Sequence, residues 1–225
     1  MPGCPGRSVK PHPCFAALYT PLTSWAERHL LGRLRQNLVG AARGRVLEVG
    51  VGTGANFPFY RQIDSLIATE PDTAMLRRAR RRARRLGFAV GFQQCPAEAL
   101  PFGDAAFDTV VITLVLCSVV DQAQALAEAR RVLRPNGTLL FIEHVRSDDH
   151  RAARLQDLLT PAWRRLSGDC RLNRPTLERI REAGLTIDER QLQFFGNVLF
   201  PMVVGSAHLS PSVTRNWSPG EAATV

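Results

Sequence analysis

The sequence predicts an α/β fold in which a parallel β-sheet carries helices on both faces. From Val46 onward, short β-branched runs alternate with amphipathic helical stretches. The first of these runs leads into a turn that holds Gly50, Gly52 and Gly54. The runs are apolar throughout, as expected for strands of a parallel sheet that is buried on both faces.

Five strands are predicted in the first two thirds of the chain, at 46–50, 66–70, 88–93, 107–113 and 137–143. Helices are predicted near 72–86 and 121–133, because Asp72 and Asp121 each stand where an N-cap is needed.

The alternation stops after His144, where a long helical pattern begins that Pro161 is expected to break. A further helix near 175–183 should end at Gly184. Two strand-like runs, 185–195 and 198–207, follow it.

Composition narrows the possible function classes. The chain has 225 residues, of which 45% are hydrophobic and 22% charged, as is typical of one globular domain. Its net charge is +9, but only Lys10 among its 29 basic residues is a lysine. Such a bias indicates genome composition, so we predict no specific nucleic-acid partner.

The cysteines and the apolar runs give further expectations. The five cysteines include no Cys-x-x-Cys pair, so we predict no metal site and no disulfide framework. No apolar run is long enough to span a membrane, and no signal-peptide pattern is present. A cytoplasmic location is therefore expected.

The glycine turn is the first candidate for a binding site. It should lie at the carboxyl edge of the sheet, where open α/β folds bind ligands, and glycine allows close backbone approach. A dinucleotide fingerprint reads G-x-G-x-x-G, whereas here the third glycine comes one residue early. Glu48, if uncompensated, would repel a pyrophosphate and favour a cation. A cationic nucleoside is predicted, and a nicotinamide-dependent oxidoreductase remains the alternative.

Two more loops should reach the same edge. Glu70 ends the second strand sixteen residues after Gly54, about where an acidic side chain meets ribose hydroxyls. Ala97 and Glu98 follow the third strand, and Asp108 begins the fourth. Each feature alone has an ordinary structural explanation, but their order and spacing favour a nucleotide site.

These segments resemble a known family. "VLEVGVGTG", "ATEPD", "PAEALPFGDAAFDTVV" and "EARRVLRPNGTLLFIEH" resemble, in order, the motifs of class I S-adenosylmethionine-dependent methyltransferases of the type 11 group. The resemblance implies a seven-stranded Rossmann-like sheet with a reversed last strand, and S-adenosyl-L-methionine as cofactor. It implies that Glu48 lies near the methionine end, that Glu70 binds the ribose and that adenine lies near Ala97. The residues it assigns to the cofactor are Glu48, Gly50, Gly52, Gly54, Glu70, Pro71, Ala97, Glu98 and Leu114.

Later segments narrow the resemblance. "TLVLCSV", "IEHV", "TPAWRRLSGDCRLNRPT" and "FPMVVGSAH" are similar to the mammalian membrane-anchored thiol methyltransferases of the methyltransferase-like seven group and their bacterial relatives. We see no counterpart of their apolar N-terminal anchor. The resemblance implies a small, apolar acceptor, with a thiol favoured. A phospholipid amine or a quinone-type carbon remains open.

The same resemblance gives a domain plan, with one methyltransferase domain over 15–208 between a disordered tip, 1–14, and a mobile tail, 209–225. Within it, 15–45 is expected to form a helical lid, or simply to pack on the sheet. Residues 145–183 are expected to form a helical insertion on the substrate side.

Methyl transfer from a sulfonium needs alignment more than acid–base chemistry, which agrees with the absence of an evident triad. His144 and Asp169 are the predicted catalytic residues, although His144 could equally be a structural histidine.

The arginine run "RRARRRARR", 77–85, wraps round its predicted helix and is typical of a solvated face. Weak attraction to anionic lipid headgroups or to RNA is the functional alternative. The oligomeric state is left open.

Overall fold

The structure is a computed structural model that describes residues 31–189 and 192–209. The predicted tip, most of the predicted lid and almost all of the predicted tail lie outside the described residues, so these three expectations stay predictions.

The described chain forms eight strands, five α-helices and a short 3-10 helix, Phe57–Phe59. The strands are β1 (Gly44–Val49), β2 (Ile63–Thr69), β3 (Gly91–Gln93), β4 (Phe107–Thr113), β5 (Leu133–His144), β6 (Leu185–Ile187), β7 (Gln193–Gly196) and β8 (Pro201–Leu209). The helices are α1 (Gly32–Gly40), α2 (Thr73–Leu86), α3 (Gln122–Val132), α4 (His150–Leu166) and α5 (Thr176–Glu182).

All strands belong to one sheet, in the order β3-β2-β1-β4-β5-β8-β6, with β7 also paired to β8. Strands β1 to β5 are parallel, and β8 runs antiparallel to β5, so the reversed last strand is confirmed. Because β5 occupies one edge of β8, β6 and β7 share the other. β6 and β7 together fill one strand position in the sheet. The run 185–195, predicted as one strand, is therefore divided into two.

Helices cover both faces of the sheet, as predicted. Successive residues of a strand point to opposite faces. Leu47 and Phe141 pack on the face that α3 and α5 cover. Their neighbours Val46 and Leu140 pack on the opposite face, beneath α1 and α2. This alternation decides which polar side chains meet at the site.

Both predicted N-caps are confirmed. Asp72 Oδ1 accepts hydrogen bonds from the amides of Ala74 at 2.6 Å and Met75 at 3.1 Å. Asp121 Oδ1 accepts one from the Gln124 amide at 3.0 Å. Each cap stabilises its helix by about 1 kcal/mol, and each fixes a helix start next to a loop of the site.

The expectation that Pro161 breaks its helix is wrong, because α4 continues without interruption from His150 to Leu166. Proline removes one backbone donor, which would have bonded to the Asp157 carbonyl. Asp157 is exposed, so water can satisfy that carbonyl. One residue earlier, the Thr160 hydroxyl donates to the Gln156 carbonyl at 2.6 Å.

Candidate active site

The glycine turn follows β1, and all three glycines have positive φ, +67° at Gly50, +55° at Gly52 and +81° at Gly54. A Cβ on Gly50 would lie 2.5 Å from the Val115 side chain, and one on Gly54 would clash with the Phe57 ring. A Cβ on Gly52 would meet nothing within 4 Å. Gly50 and Gly54 are therefore needed for packing, while Gly52 presents bare backbone to open space.

Glu70, at the end of β2, holds this open turn from below. Its Oε2 accepts a hydrogen bond from the Gly52 amide at 2.9 Å, and its Oε1 accepts one from the Asp72 amide at 3.0 Å. Burial raises the pKa of Glu70 to about 7. The structure thus joins two predicted cofactor residues, Gly52 and Glu70, in one contact.

Glu48 lies fully buried under the glycine turn. Its Oε1 accepts from Asn56 Nδ2 and its Oε2 from the Tyr60 hydroxyl, each at 2.9 Å. The argument that Glu48 repels a pyrophosphate required an uncompensated carboxylate, and this condition is not met. Both oxygens have donors, and the Arg35 guanidinium also favours the charged form. Burial still outweighs these effects and raises the pKa of Glu48 to about 7.

The donors to Glu48 belong to a buried polar network. Arg35 Nη1 donates to Asn56 Oδ1 at 2.5 Å and to Thr113 Oγ1 at 3.1 Å. Asn56 Nδ2 also lies 3.0 Å from Thr113 Oγ1. These residues were not predicted from the sequence. Only Thr113, a polar residue that closes an apolar strand, gave a usable signal.

The loop after β4 forms the opposite wall of the turn. Leu114 has φ +58°, which is rare for a residue other than glycine and common at functional sites. The next three amides, of Val115, Leu116 and Cys117, donate to the Glu143 carboxylate at 2.8, 2.9 and 3.1 Å. Glu143 is completely buried, and burial raises its pKa well above the usual range. It therefore fixes the loop that contacts Gly50.

The predicted adenine-side residues lie in the loop after β3. Ala97 is buried in the core. Glu98 Oε1 accepts from the amides of Val120 at 2.8 Å and Asp121 at 3.2 Å, which ties this loop to the start of α3. The Pro71 carbonyl accepts from Gln94 Nε2 at 3.1 Å. A role for Ala97, Glu98 and Pro71 in cofactor binding stays a prediction.

His144 ends β5 on the face of the sheet that also carries Ile142, Glu48 and Thr113. Its Nδ1 is buried and accepts or donates no hydrogen bond within the described part of the chain. Burial lowers the pKa of His144, so the imidazole is neutral at physiological pH. A neutral imidazole with a free nitrogen can accept a proton.

Asp169, the other predicted catalytic residue, lies in the turn after α4 with φ +69°. Its carboxylate pairs with Arg164 at 2.7 Å and with Arg171 at 3.6 Å. These ion pairs hold the turn in place. The catalytic role of Asp169 stays a prediction.

The predicted insertion, 145–183, is fastened to the loop after β4. Arg174 donates to the carbonyls of Leu116 and Val119, both at 2.6 Å, and the Arg171 amide donates to the Cys117 carbonyl at 2.9 Å. Cys117, Cys170 and Leu172 form a small buried cluster between them. Both cysteines therefore act as packing residues in this region.

Clusters that could bind a metal and helices that could span a membrane are both absent from the described residues. No group of three or more His, Cys, Asp or Glu side chains there could hold a metal ion. Between residues 31 and 209, apart from 190–191, no helix has the length and apolarity needed to cross a bilayer. The cytoplasmic location stays a prediction.

The fold and the glycine turn define a nucleotide-binding α/β protein whose sheet ends in a reversed strand, and sequence comparison narrows this class. The family model described as "Methyltransferase domain", Methyltransf_11, matches residues 47–141. The human thiol S-methyltransferase TMT1A is 32% identical over 200 residues, which cover 86% of this chain and 82% of the human protein. The chain therefore belongs to the class I S-adenosylmethionine-dependent methyltransferases of the type 11 group, and S-adenosylmethionine is its cofactor.

Other similar proteins differ in their acceptors. A phosphatidylethanolamine N-methyltransferase of Cereibacter sphaeroides is 35% identical over 112 residues, which cover 49% of this chain and 55% of that protein. The crystal structure of an S-adenosylmethionine-dependent methyltransferase from Thermotoga maritima, described as a possible histamine N-methyltransferase, superimposes with a TM-score of 0.63. It is 23% identical, and the match covers 86% of this chain and 97% of that one, which shows the shared fold.

Proposed function

We propose that this methyltransferase acts on the thiol group of a small apolar molecule. The observation that carries the proposal concerns His144, which lies at the carboxyl edge of the sheet. Its Nδ1 is buried and has no hydrogen-bond partner among the described residues. When bound, S-adenosylmethionine supplies a methyl group on a positively charged sulfur. The protein has to bind it, exclude water and align the acceptor.

The residues around Gly52 fit this cofactor. The open space above Gly52 admits a ligand to the backbone, and the Glu70 carboxylate beside it can accept hydrogen bonds from ribose hydroxyls. Leu114 and Val115 would form the facing wall, and Glu143 holds the Val115 amide. Glu48 would act mainly through Asn56 and Tyr60, by supporting the turn from beneath.

A thiol becomes a strong nucleophile when it loses its proton, so a thiol methyltransferase needs a base of moderate strength. Neutral His144 suits this task. The acids nearby suit it less well, because Glu143 is occupied by three amides and Asp169 by two arginines. The likeness to human TMT1A supports the same acceptor, since it extends over most of both chains.

A phospholipid amine is the second candidate, because the Cereibacter enzyme is 35% identical over 112 residues. Transfer of a radiolabelled methyl group to an apolar thiol, to phosphatidylethanolamine and to a quinol separates the candidates. We expect the thiol to be methylated at least tenfold faster than the others. Faster methylation of the lipid amine or of the quinol would overturn the proposal.

A further inference from the structure

Helix α4 carries an exposed apolar stripe that no described part of the fold covers. Leu158 and Leu166 are 75% and 77% exposed, and Leu155 and Leu159 are also exposed. The spacing of these residues places them side by side on the outer face of α4. We call these four residues the leucine stripe. Exposed apolar surface of this extent marks an interaction site.

Three arginines border the leucine stripe. Arg151 and Arg154 lie in the first turns of α4 and Arg165 in the last, and all three are exposed. None of them forms an ion pair within residues 31–189 and 192–209. The acidic residue of α4, Asp157, is already paired with Arg146 at 2.7 Å. The stripe is therefore apolar with a cationic border.

The location of α4 relates the stripe to the active site. Gln156 Nε2, on the inner side of α4, donates to the carbonyls of Val145 at 3.3 Å and Leu199 at 3.1 Å. Val145 directly follows His144, so α4 lies at the carboxyl edge of the sheet, where the glycine turn also lies. A molecule bound at the stripe therefore lies at the same edge of the sheet as the candidate active site.

We propose that the leucine stripe docks α4 onto an anionic phospholipid bilayer, with its leucines in the headgroup region and its arginines on lipid phosphates. A leucine-rich face bordered by arginine is the pattern of a helix that lies in the membrane interface. A second copy of the chain is a poorer partner. Arginines stand near both ends of α4, so either orientation of two stripes brings like charges together.

The arginine-rich helix α2 is a poorer candidate for the same contact. Its arginines lie on the outer face of the helix and do not wrap round it, because the inner face is buried in the core. Leu86, which is 50% exposed, is its one exposed large apolar side chain among the described residues. Charge without an apolar stripe gives attraction but little insertion. Variants on α2 therefore serve as matched controls for variants on α4.

The test is flotation of the full chain with vesicles of phosphatidylglycerol and phosphatidylcholine, which needs neither cofactor nor acceptor. We expect binding to these vesicles and none to pure phosphatidylcholine. L158E/L166E should weaken the partition coefficient at least tenfold, whereas L86E should change it less than threefold. R154Q/R165Q should weaken it about tenfold at 0.1 M salt, and much more than R81Q/R85Q does.

Four results would overturn the proposal. The first is that the protein does not bind the vesicles, whether or not it binds single-stranded RNA. The second is equal loss in the α4 and α2 variants, which would indicate net charge alone. The third is a dimer that L158E/L166E dissociates. The fourth is a large loss of folding stability in L158E/L166E, which would mean that another part of the chain covers the stripe.

Discussion

The Glu70 carboxylate and the Gly52 amide are joined by a hydrogen bond of 2.9 Å, which ties the end of β2 to the turn after β1. Glu70 is the residue proposed to accept hydrogen bonds from the ribose. Of the three glycines in the turn, only Gly52 faces open space. Cofactor affinity should therefore depend on the charge of Glu70 and on the absence of a side chain at position 52.

Affinity for S-adenosylhomocysteine should rise with pH. Glu70 has a pKa of about 7, so below this pH its carboxyl group is protonated and accepts hydrogen bonds less well. If ribose hydroxyls donate to the ionised form, affinity increases roughly tenfold between pH 6 and pH 8. Calorimetry across this range measures the slope. E70Q should bind S-adenosylhomocysteine weakly, and its affinity should depend less on pH. If the affinity of E70Q depends on pH as strongly as that of the wild type, the effect belongs to Glu48.

Alanine substitution should separate the roles of two glycines. G52A adds a Cβ in open space, so it should lower the free energy of unfolding by only about 1–2 kcal/mol, because of its positive φ. It should nevertheless weaken cofactor binding at least tenfold. G50A places a Cβ against Val115 and should destabilise the fold more strongly. Denaturant unfolding and calorimetry test both variants, and full cofactor affinity in G52A would contradict the proposed cradle.

Asn56 should contribute strongly to stability. N56A removes the bridge between Arg35 and Glu48 and leaves buried polar groups without their partner. We expect a loss of about 2–4 kcal/mol in the free energy of unfolding. T113V, which removes one hydroxyl from the same network, is the matched control and should cost about 1–2 kcal/mol. Equal effects would mean that Asn56 does not bridge the two charged residues.

Stability should fall as pH rises from about 4.5 to about 7. Glu48 binds its proton more tightly when folded, because burial raises its pKa from 4.5 to about 7. Its stabilising contribution is therefore complete below pH 4.5 and lost as pH rises through about 7, by up to about 3 kcal/mol. Urea unfolding at several pH values measures this dependence. E48Q should flatten the curve, and an equally steep fall in E48Q would contradict the assignment to Glu48.

His144 should act on turnover and not on cofactor binding. H144Q is expected to lower kcat for a thiol acceptor about 10- to 100-fold with an unchanged Kd for S-adenosylhomocysteine. Burial lowers the pKa of His144, so the wild-type rate should fall only when the pH drops below 6.5. H144Q should lose that acid limb, which a purely structural histidine would not control. A normal kcat in H144Q would contradict the assignment.

The sheet and both capped helices were predictable from local signals such as apolar runs and an aspartate before a helix. The reversed last strand was implied only by the family resemblance. The sequence also predicted Gly52 and Glu70 as neighbours, since parallel strands end at one edge. The network of Arg35, Asn56 and Tyr60 around Glu48 escaped prediction. Such contacts join residues far apart in sequence and depend on how α1 packs.

The prediction for Pro161 was wrong for a different reason. The rule that proline breaks a helix was applied at a position where it does not hold. The cost of an internal proline depends on the surroundings of the carbonyl that loses its donor. That carbonyl belongs to an exposed residue of α4, and exposure of a helix face is a tertiary property. The sequence pattern alone could not supply it.

The place of β8 has a consequence for biosynthesis. This strand pairs with β5 on one side and with β6 and β7 on the other, although it is the last strand of the described chain. A ribosome must release residues up to Leu209 before the edge of β5, with its buried Phe141, is sheltered. Nascent chains should therefore expose an unpaired, aggregation-prone strand edge until translation is nearly complete. We expect them to depend on chaperones during that interval.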